Sequence, residues 1–155
     1  DTSITAATAS PLTDGASFML ICSEDFANKH NLKPMARINS GAVIGCNPGE
    51  MGIGPIEASR LALKRAGWDI EAVDIFELNE AFSSQSIAVI NELGIDINKV
   101  NIDGGSLAIG HPLGASGVRI IGRASTILQR TNKERALISM CIGGGMGIAI
   151  TIEKP

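Results

Sequence analysis

The stretch ALISMCIGGGMGIAITI, residues 136–152, decides the fold. It is the longest apolar run without a charged residue, at 17 residues, which is just below the usual length of a membrane-spanning helix. Four glycines interrupt it, at positions 143, 144, 145 and 147. We therefore predict two strands, 136–142 and 146–152, joined by a glycine turn. Because both strands are apolar along nearly their whole length, we expect them inside a sheet that helices cover on each side.

Outward from this hairpin, short apolar runs alternate with helical patterns, which is typical of a layered α/β fold. Helix signals are clearest at 55–66, where Pro55 marks the start and Gly67 the end. Further helices are predicted at 24–30 (capped by Ser23), 81–93 and 116–130. Strands are predicted at 15–23, 35–46 (with a bulge at Gly41), 73–78 and 100–103. Together with the hairpin, these elements predict a mixed, mostly parallel five-stranded sheet with helices on both faces.

Composition excludes several classes of protein. The chain has 155 residues, 45% apolar and 19% charged, which suits one folded domain and argues against disorder. A net charge of -3 without a basic cluster argues against nucleic acid or membrane as the main partner. Three cysteines far apart predict free thiols and a cytoplasmic location. The chain begins at Asp1 without Met or a basic leader, so we expect a processed product or a fragment.

Known metal and nucleotide motifs do not fit. The only histidines, His30 and His111, are far apart, and neither CxxC nor HExxH occurs, which argues against a zinc site. No GxGxxG motif opens a helix and no glycine precedes a lysine, so no dinucleotide fingerprint or P-loop is present.

Three segments place reactive groups at or beyond the ends of predicted strands, where open α/β sheets hold their sites. His111 lies just before a predicted helix, whose positive N-terminus favours a neutral imidazole that can donate an N–H to an oxyanion. Cys141, beside three glycines, has a thiol that can move a proton or attack a carbonyl. Asn79 can hold a water or a substrate carbonyl.

The residues alone leave structural alternatives open. His111 could bond to backbone in a tight turn, Cys141 could be a core cysteine, and Asn79 could cap a helix. For Cys22 and Cys46, which fall inside predicted strands, we favour a core position. Phe82 is also of a type more often found in the core.

The motifs resemble those of a known family. NEAF at 79–82, GHPLGASG at 110–117 and CIGGGMG at 141–147 are similar to the C-terminal half of thiolases, as are SPLTDGA at 10–16 and GPIEASRLALKRAG at 54–67. The resemblance covers essentially the whole chain. It implies a βαβαβαββ domain over 33–155, with 1–32 as the last strand and helix of the preceding half.

The resemblance implies an acyltransferase acting on coenzyme A thioesters, with no permanently bound cofactor. Such enzymes condense two acetyl-CoA molecules or cleave 3-ketoacyl-CoA. Cys141 matches the cysteine that removes a proton from C2 of acetyl-CoA. His111 (directly) and Asn79 (through a water) match one oxyanion hole, and the Gly143 N–H matches a donor of a second. The resemblance also matches Ser10 and Phe82 to contacts near the CoA pantetheine.

One departure is large, because the family's acylated cysteine, in a Cys-x-Ser-Gly context, has no match in this chain. We therefore expect the chain alone to be inactive, to pair with a missing N-terminal half and to belong to a homo-oligomer in the full enzyme. Two alternatives stay open. One is a non-catalytic thiolase-like binding or assembly module, and the other is a hydrolase or acyltransferase that uses only Cys141 and His111. The sequence does not distinguish synthesis from degradation.

Overall fold

The glycine-interrupted run forms the predicted hairpin at the centre of the fold. In the computed structural model, which describes residues 3–155, strand β3 (Arg135–Ile142) pairs antiparallel with β4 (Met146–Glu153). Asp1 and Thr2, the first residues of the predicted segment 1–32, lie outside the described residues. Gly144 and Gly145 adopt φ values of 89° and 90° in the turn, which is why this turn requires glycine.

The remaining elements arrange themselves around this hairpin. In chain order they are α1 (Glu24–Lys29), β1 (Arg37–Gly45), α2 (Gly54–Ala66), β2 (Ile75–Leu78), α3 (Ser83–Leu93), α4 (Ser106–Ile109) and α5 (Leu113–Thr131). Three short 3₁₀ turns lie at Pro48–Ile53, Ile70–Ala72 and Ile97–Lys99. The caps follow the sequence signals: Ser23 accepts a hydrogen bond from the N–H of Phe26, and Gly67 and Gly94 end α2 and α3 in left-handed conformations.

The sheet of the described chain has four strands in the order β1-β4-β3-β2. Only β2 and β3 are parallel, whereas β1–β4 and β4–β3 are antiparallel. The α/β architecture and the mixed sheet are therefore confirmed, but the expectations of five strands and of a mostly parallel sheet were wrong. The bulge in β1 lies between Ile38 and Ser40, not at Gly41.

The predicted strand 100–103 is reduced to a single bridge between Val100 and Phe76. Asn101 turns the backbone into the left-handed region, at φ 46°, which ends the extended conformation. Its side chain then takes the place of a strand: its oxygen accepts from the Leu78 N–H at 2.9 Å and its amide donates to the Leu78 carbonyl at 2.9 Å.

The predicted strand 15–23 is also absent, because this segment pairs with no strand of residues 3–155. Its apolar side chains face solvent, with Phe18 95%, Leu20 73% and Ile21 70% exposed. An apolar strand needs a neighbour on which to pair and pack, and the described chain does not supply one.

Helices cover both faces of the sheet, as expected for strands that are apolar on both sides. Helix α2 packs on one face, with Ala58 and Ala62 against Phe76 and Leu137. Helix α5 packs on the other, with Ala124 and Ile127 among its contacts with β2, β3 and β4. Successive residues of β3 alternate between the two cores, which follows from the two-residue period of a strand.

Two glycines let α2 approach β4 closely. A Cβ on Gly147 would overlap the backbone of Gly54 and Pro55, and a Cβ on Gly54 would overlap the backbone of Met146 and Gly147. Backbone cannot move aside as a flexible side chain can, so this contact fixes the start of α2 against the sheet.

We predict that Gly147→Ala destabilises the chain by about 1–3 kcal/mol, because the added methyl group overpacks a backbone contact. The matched control is Gly122→Ala, in α5, where nothing lies within 4 Å of the added Cβ, and which should stabilise the helix by about 1 kcal/mol. Urea unfolding of both variants measures the difference. Wild-type stability in Gly147→Ala would show that α2 does not press on β4.

Candidate active site

Asn79 lies at the carboxyl edge of the sheet because it continues β2. Its N–H donates to the Ser139 carbonyl of β3 at 2.9 Å, which extends the parallel ladder by one bond. Cys141 lies two residues further along β3, about 7 Å along the strand. Helix α3 begins at Ser83, and its N-cap position is Phe82, so Asn79 is not the helix cap that the sequence left open.

His111 lies between α4 and α5, two residues before α5 begins. Gly110 precedes it with φ 92° and abuts Thr13, so the loop turns sharply there. The predicted position of His111 before a helix N-terminus is confirmed.

The loops of Asn79 and His111 meet. The Asn79 Nδ2 atom lies 3.2 Å from His111 Nε2, although the two residues are 32 positions apart. Asn79 is 1% exposed and also accepts from the Ser106 hydroxyl at 2.7 Å. On the other side of the ring, His111 Nδ1 lies 2.6 Å from the Ser116 hydroxyl.

The surroundings of His111 favour a neutral ring. Burial lowers the pKa of His111, and the positive charge of Arg119 lowers it further. The N-terminus of α5 acts in the same direction. The neutral imidazole that the sequence predicts is therefore consistent with the geometry.

Cys141 is 8% exposed at the end of β3. Burial raises the pKa of its thiol, a backbone hydrogen bond opposes the increase and the nearby Cys46 adds to it, so the thiol is favoured over the thiolate. Gly143, whose backbone N–H is a candidate donor, lies exposed in the turn that follows β3.

The backbone at Ser10 pairs with the backbone just before Phe82. The Ser10 N–H donates to the Ala81 carbonyl at 2.9 Å, and Ala9 forms an antiparallel bridge with Phe82. The same N-terminal segment continues past His111, whose backbone N–H donates to the Pro11 carbonyl at 3.4 Å. The Ser17 hydroxyl then bonds the Ala115 carbonyl at 2.8 Å. Residues 8–17 therefore run along both motif loops.

Sequence reasoning missed the residues that hold these loops in place. Arg119 donates to the Gly110 carbonyl at 2.8 Å and to the Ser106 hydroxyl at 2.9 Å. Glu80 accepts from the Asn101 side chain at 2.7 Å and from the Leu107 N–H at 3.1 Å. Ser116 lies inside the GHPLGASG motif, and this position is the only sequence feature that indicates a role for it.

The expected core positions of Cys22 and Cys46 were wrong. Cys22 is exposed and Cys46 is partly exposed. Cys22 lies in the unpaired segment, and Cys46 follows the last residue of β1. Within residues 3–155 no group of three or more His, Cys, Asp or Glu is placed to hold a metal ion, and no helix is long and apolar enough to cross a membrane.

Glu77 is a buried carboxyl in β2, two residues before Asn79. It is 2% exposed, and its Oε1 atom has no hydrogen-bond partner among the described residues. Burial raises the pKa of Glu77 to about 7, with Asp103 and Glu80 adding to the increase and Arg123 and Arg119 opposing it.

The chain is thus a layered α/β domain in which Asn79 and Cys141 lie at the carboxyl ends of two neighbouring strands and His111 contacts Asn79. Residues 32–154 match the family described as "Thiolase, C-terminal domain". The chain belongs to the thiolase family.

Individual relatives agree with this assignment. The chain is 46% identical to an acetyl-CoA acetyltransferase of Chromobacterium violaceum over 155 residues, which is 100% of this chain and 40% of that protein. It is 51% identical to a 3-ketoacyl-CoA thiolase of Yersinia enterocolitica over 154 residues, 97% of this chain and 40% of that protein. The chain thus spans about 40% of the length of these relatives.

Solved structures show the same fold. The crystal structure of the Bacillus anthracis acetyl-CoA acetyltransferase superposes with a TM-score of 0.96 at 41% identity, over 98% of this chain and 39% of that one. Human mitochondrial 3-ketoacyl-CoA thiolase, in a crystal structure with CoA, gives a TM-score of 0.90 at 42% identity, over 98% of this chain and 38% of that one.

The raised pKa of Glu77 predicts a specific pH dependence of stability. Unfolded Glu77 loses its proton near pH 4.5, whereas the folded chain keeps it until about pH 7. Between these values the folded state binds more protons, so this residue lowers stability as pH rises, by about 3 kcal/mol in total. We expect Glu77→Gln to remove this loss.

The measurement is urea unfolding from pH 5 to 8 for wild type and Glu77→Gln. The comparison isolates Glu77 from His111, whose lowered pKa acts in the opposite direction: its contribution is full above pH 6.5 and is lost as pH falls. Glu71→Gln, at an exposed position, is the control. Identical pH profiles for wild type and Glu77→Gln would contradict the prediction.

Proposed function

We propose that this chain carries the acid/base cysteine and the oxyanion-hole half of a thiolase active site. The full enzyme would condense acetyl-CoA to acetoacetyl-CoA or cleave 3-ketoacyl-CoA with CoA. The observation that carries the proposal is the contact between Asn79 and His111 at the sheet edge that also holds Cys141, in a chain of the thiolase family.

In this proposal, Cys141 as a thiolate takes a proton from C2 of the bound acetyl-CoA. The electron pair of that C–H bond forms the enolate, and the negative charge moves to the thioester oxygen. His111, and Asn79 through a water, stabilise this oxygen, and the Gly143 N–H serves a second oxyanion hole. One such donor contributes about 10²–10³-fold to the rate.

The raised pKa of Cys141 has a consequence for this step. The thiol must lose its proton before it acts as a base, and its burial disfavours the thiolate. A group from outside the chain that removes this proton or supplies positive charge would therefore increase the rate. In the reverse direction, a high pKa suits Cys141 as the acid that returns a proton.

The missing half is part of the proposal. No residue of this chain matches the acylated cysteine, so the acyl group must come from an N-terminal half, either as a separate chain or in a longer protein. Phe18, Leu20 and Ile21 are exposed and unpaired, which supports a contact with that half. The same proposal places the boundary between the two halves after residue 32. It also makes the full enzyme a homo-oligomer, with CoA thioesters as substrates and no permanently bound cofactor.

Ser10 and Phe82 are proposed to contact the pantetheine of CoA. The segments that carry them are paired through their backbones next to the His111 loop, which supports this role. The three free cysteines support a reducing compartment such as the cytoplasm.

The test is cleavage of acetoacetyl-CoA by this chain alone and after assembly with a separately made N-terminal half. We expect no turnover by the chain alone and turnover by the assembly. His111→Ala should lower the assembled rate by about 10²–10³-fold, as for loss of one oxyanion donor, and Cys141→Ser should abolish it.

Glu71→Gln, at an exposed position outside the segment 8–23, is the control, and it should keep the assembled activity. Turnover by the chain alone would overturn the half-site proposal. Assembled activity that survives both His111→Ala and Cys141→Ser would show that the chemistry lies on other residues. Stable assembly without turnover would favour a non-catalytic module.

A further inference from the structure

The hydrogen bonds around His111 form a chain whose direction can be read from its donors. Arg119 lies at one end, and a guanidinium can only donate. Its Nη2 atom lies 2.9 Å from the Ser106 hydroxyl, so Ser106 accepts there. The single hydroxyl hydrogen of Ser106 is then available for Asn79 Oδ1, at 2.7 Å.

This bond fixes the orientation of the Asn79 amide. With its oxygen on Ser106, the amide nitrogen faces His111 Nε2 at 3.2 Å and must donate to it. The reversed amide would put two donors, Arg119 and Asn79, on the Ser106 hydroxyl and leave its hydrogen without an acceptor. Ser106 is 1% exposed, so that arrangement would bury an unsatisfied hydroxyl.

The tautomer of His111 follows from the amide. A neutral imidazole that accepts at Nε2 carries its hydrogen on Nδ1. That hydrogen meets the Ser116 hydroxyl oxygen at 2.6 Å, and the Ser116 hydroxyl donates onward to the Pro112 carbonyl at 3.0 Å. In this direction every group of the chain is satisfied.

A donor role toward an oxyanion requires the opposite tautomer, with the hydrogen on Nε2. Ser116 can stabilise either tautomer. Its hydroxyl donates to the Pro112 carbonyl when Nδ1 carries the hydrogen, and to Nδ1 when Nε2 carries it. The Pro112 carbonyl would not be left without a donor, since it also accepts from the N–H groups of Ala115 and Ser116 at 2.8 and 2.9 Å.

We propose that Arg119 and Ser106, through Asn79, hold the ligand-free His111 ring in the Nδ1–H form, and that Ser116 is the positioning residue whose hydroxyl stabilises whichever tautomer the contact at Nε2 requires. An oxyanion that replaces the Asn79 amide at Nε2 then favours the Nε2–H form, and the Ser116 hydroxyl turns toward Nδ1. In the exchange, solvent gives one proton to Nε2 and takes one from Nδ1, so the net charge is unchanged. The catalytic consequence rests on the proposed function, whereas the resting tautomer does not.

The resting tautomer is measured by ¹⁵N NMR on the chain labelled only at histidine. Only two residues, His30 and His111, give signals. His30 is exposed and serves as the internal reference. Above pH 7, where the ring is neutral, we expect a pyrrole-type shift at Nδ1 of His111 and a pyridine-type shift at Nε2. A dominant Nε2–H form would overturn the proposal. If the chain self-associates, the same shifts can be measured by solid-state NMR, so the measurement does not require a monomeric sample.

Three variants test the roles. Ser106→Ala frees the Asn79 amide, so the His111 shifts should move toward the Nε2–H form. Ser116→Ala removes the acceptor of Nδ1–H but leaves the Asn79 amide donating to Nε2, so the Nδ1 shift should change while the Nδ1–H form is kept. Ser116→Thr keeps the hydroxyl and should retain the wild-type shifts. Wild-type shifts in both alanine variants would overturn the proposal, and an unchanged circular dichroism spectrum checks that the fold is kept.

The assembled enzyme supplies a kinetic readout. Ser116→Ala should lower kcat for acetoacetyl-CoA cleavage roughly tenfold, the size expected for one hydrogen bond, with KM little changed, and Ser116→Thr should restore it. Unchanged kcat in Ser116→Ala would overturn the catalytic part. Failure of the wild-type assembly to turn over would instead count against the proposed function, because the NMR measurement needs no activity.

Discussion

The parallel pairing of β2 with β3 is the constraint on which the candidate site depends. Its register places Leu78 beside Ser139 and continues through the bond from Asn79 to the Ser139 carbonyl. A shift by one residue would turn every side chain of β2 to the opposite face of the sheet. The register therefore fixes which β2 side chains enter each of the two cores, and it fixes the distance from Asn79 to Cys141. The antiparallel hairpin keeps β3 in the interior of the sheet.

The loops beyond this edge are held by polar contacts between side chains and backbone. Asn101 bonds both backbone groups of Leu78, and Glu80 joins Asn101 to the start of α4. Arg119 reaches from α5 to the residue before His111. Loops normally lie at the surface because buried backbone needs partners, and here side chains provide these partners. The site is therefore fixed without the extra strand that the sequence suggested.

The N-terminal segment links the site to the unpaired surface of the chain. Residues 8–17 contact both motif loops, whereas the apolar side chains that follow, Phe18, Leu20 and Ile21, are exposed. A chain that spans about 40% of its relatives would expose such a surface where the rest of the protein packs. One stretch of backbone therefore runs from the loops of the candidate site to this exposed surface.

The sequence by itself determined the layered α/β class, the hairpin, the helices with their caps, and the placement of Asn79, His111 and Cys141 near strand or helix ends. These follow from local signals: apolar periodicity, glycine and proline at boundaries, and motif spacing. It did not determine whether 15–23 and 100–103 are strands, because an apolar run becomes a strand only where a neighbour pairs with it. The network of Arg119, Ser106 and Ser116 was likewise decided by the tertiary structure, since hydrogen bonds between residues far apart in sequence leave no periodic pattern along the chain.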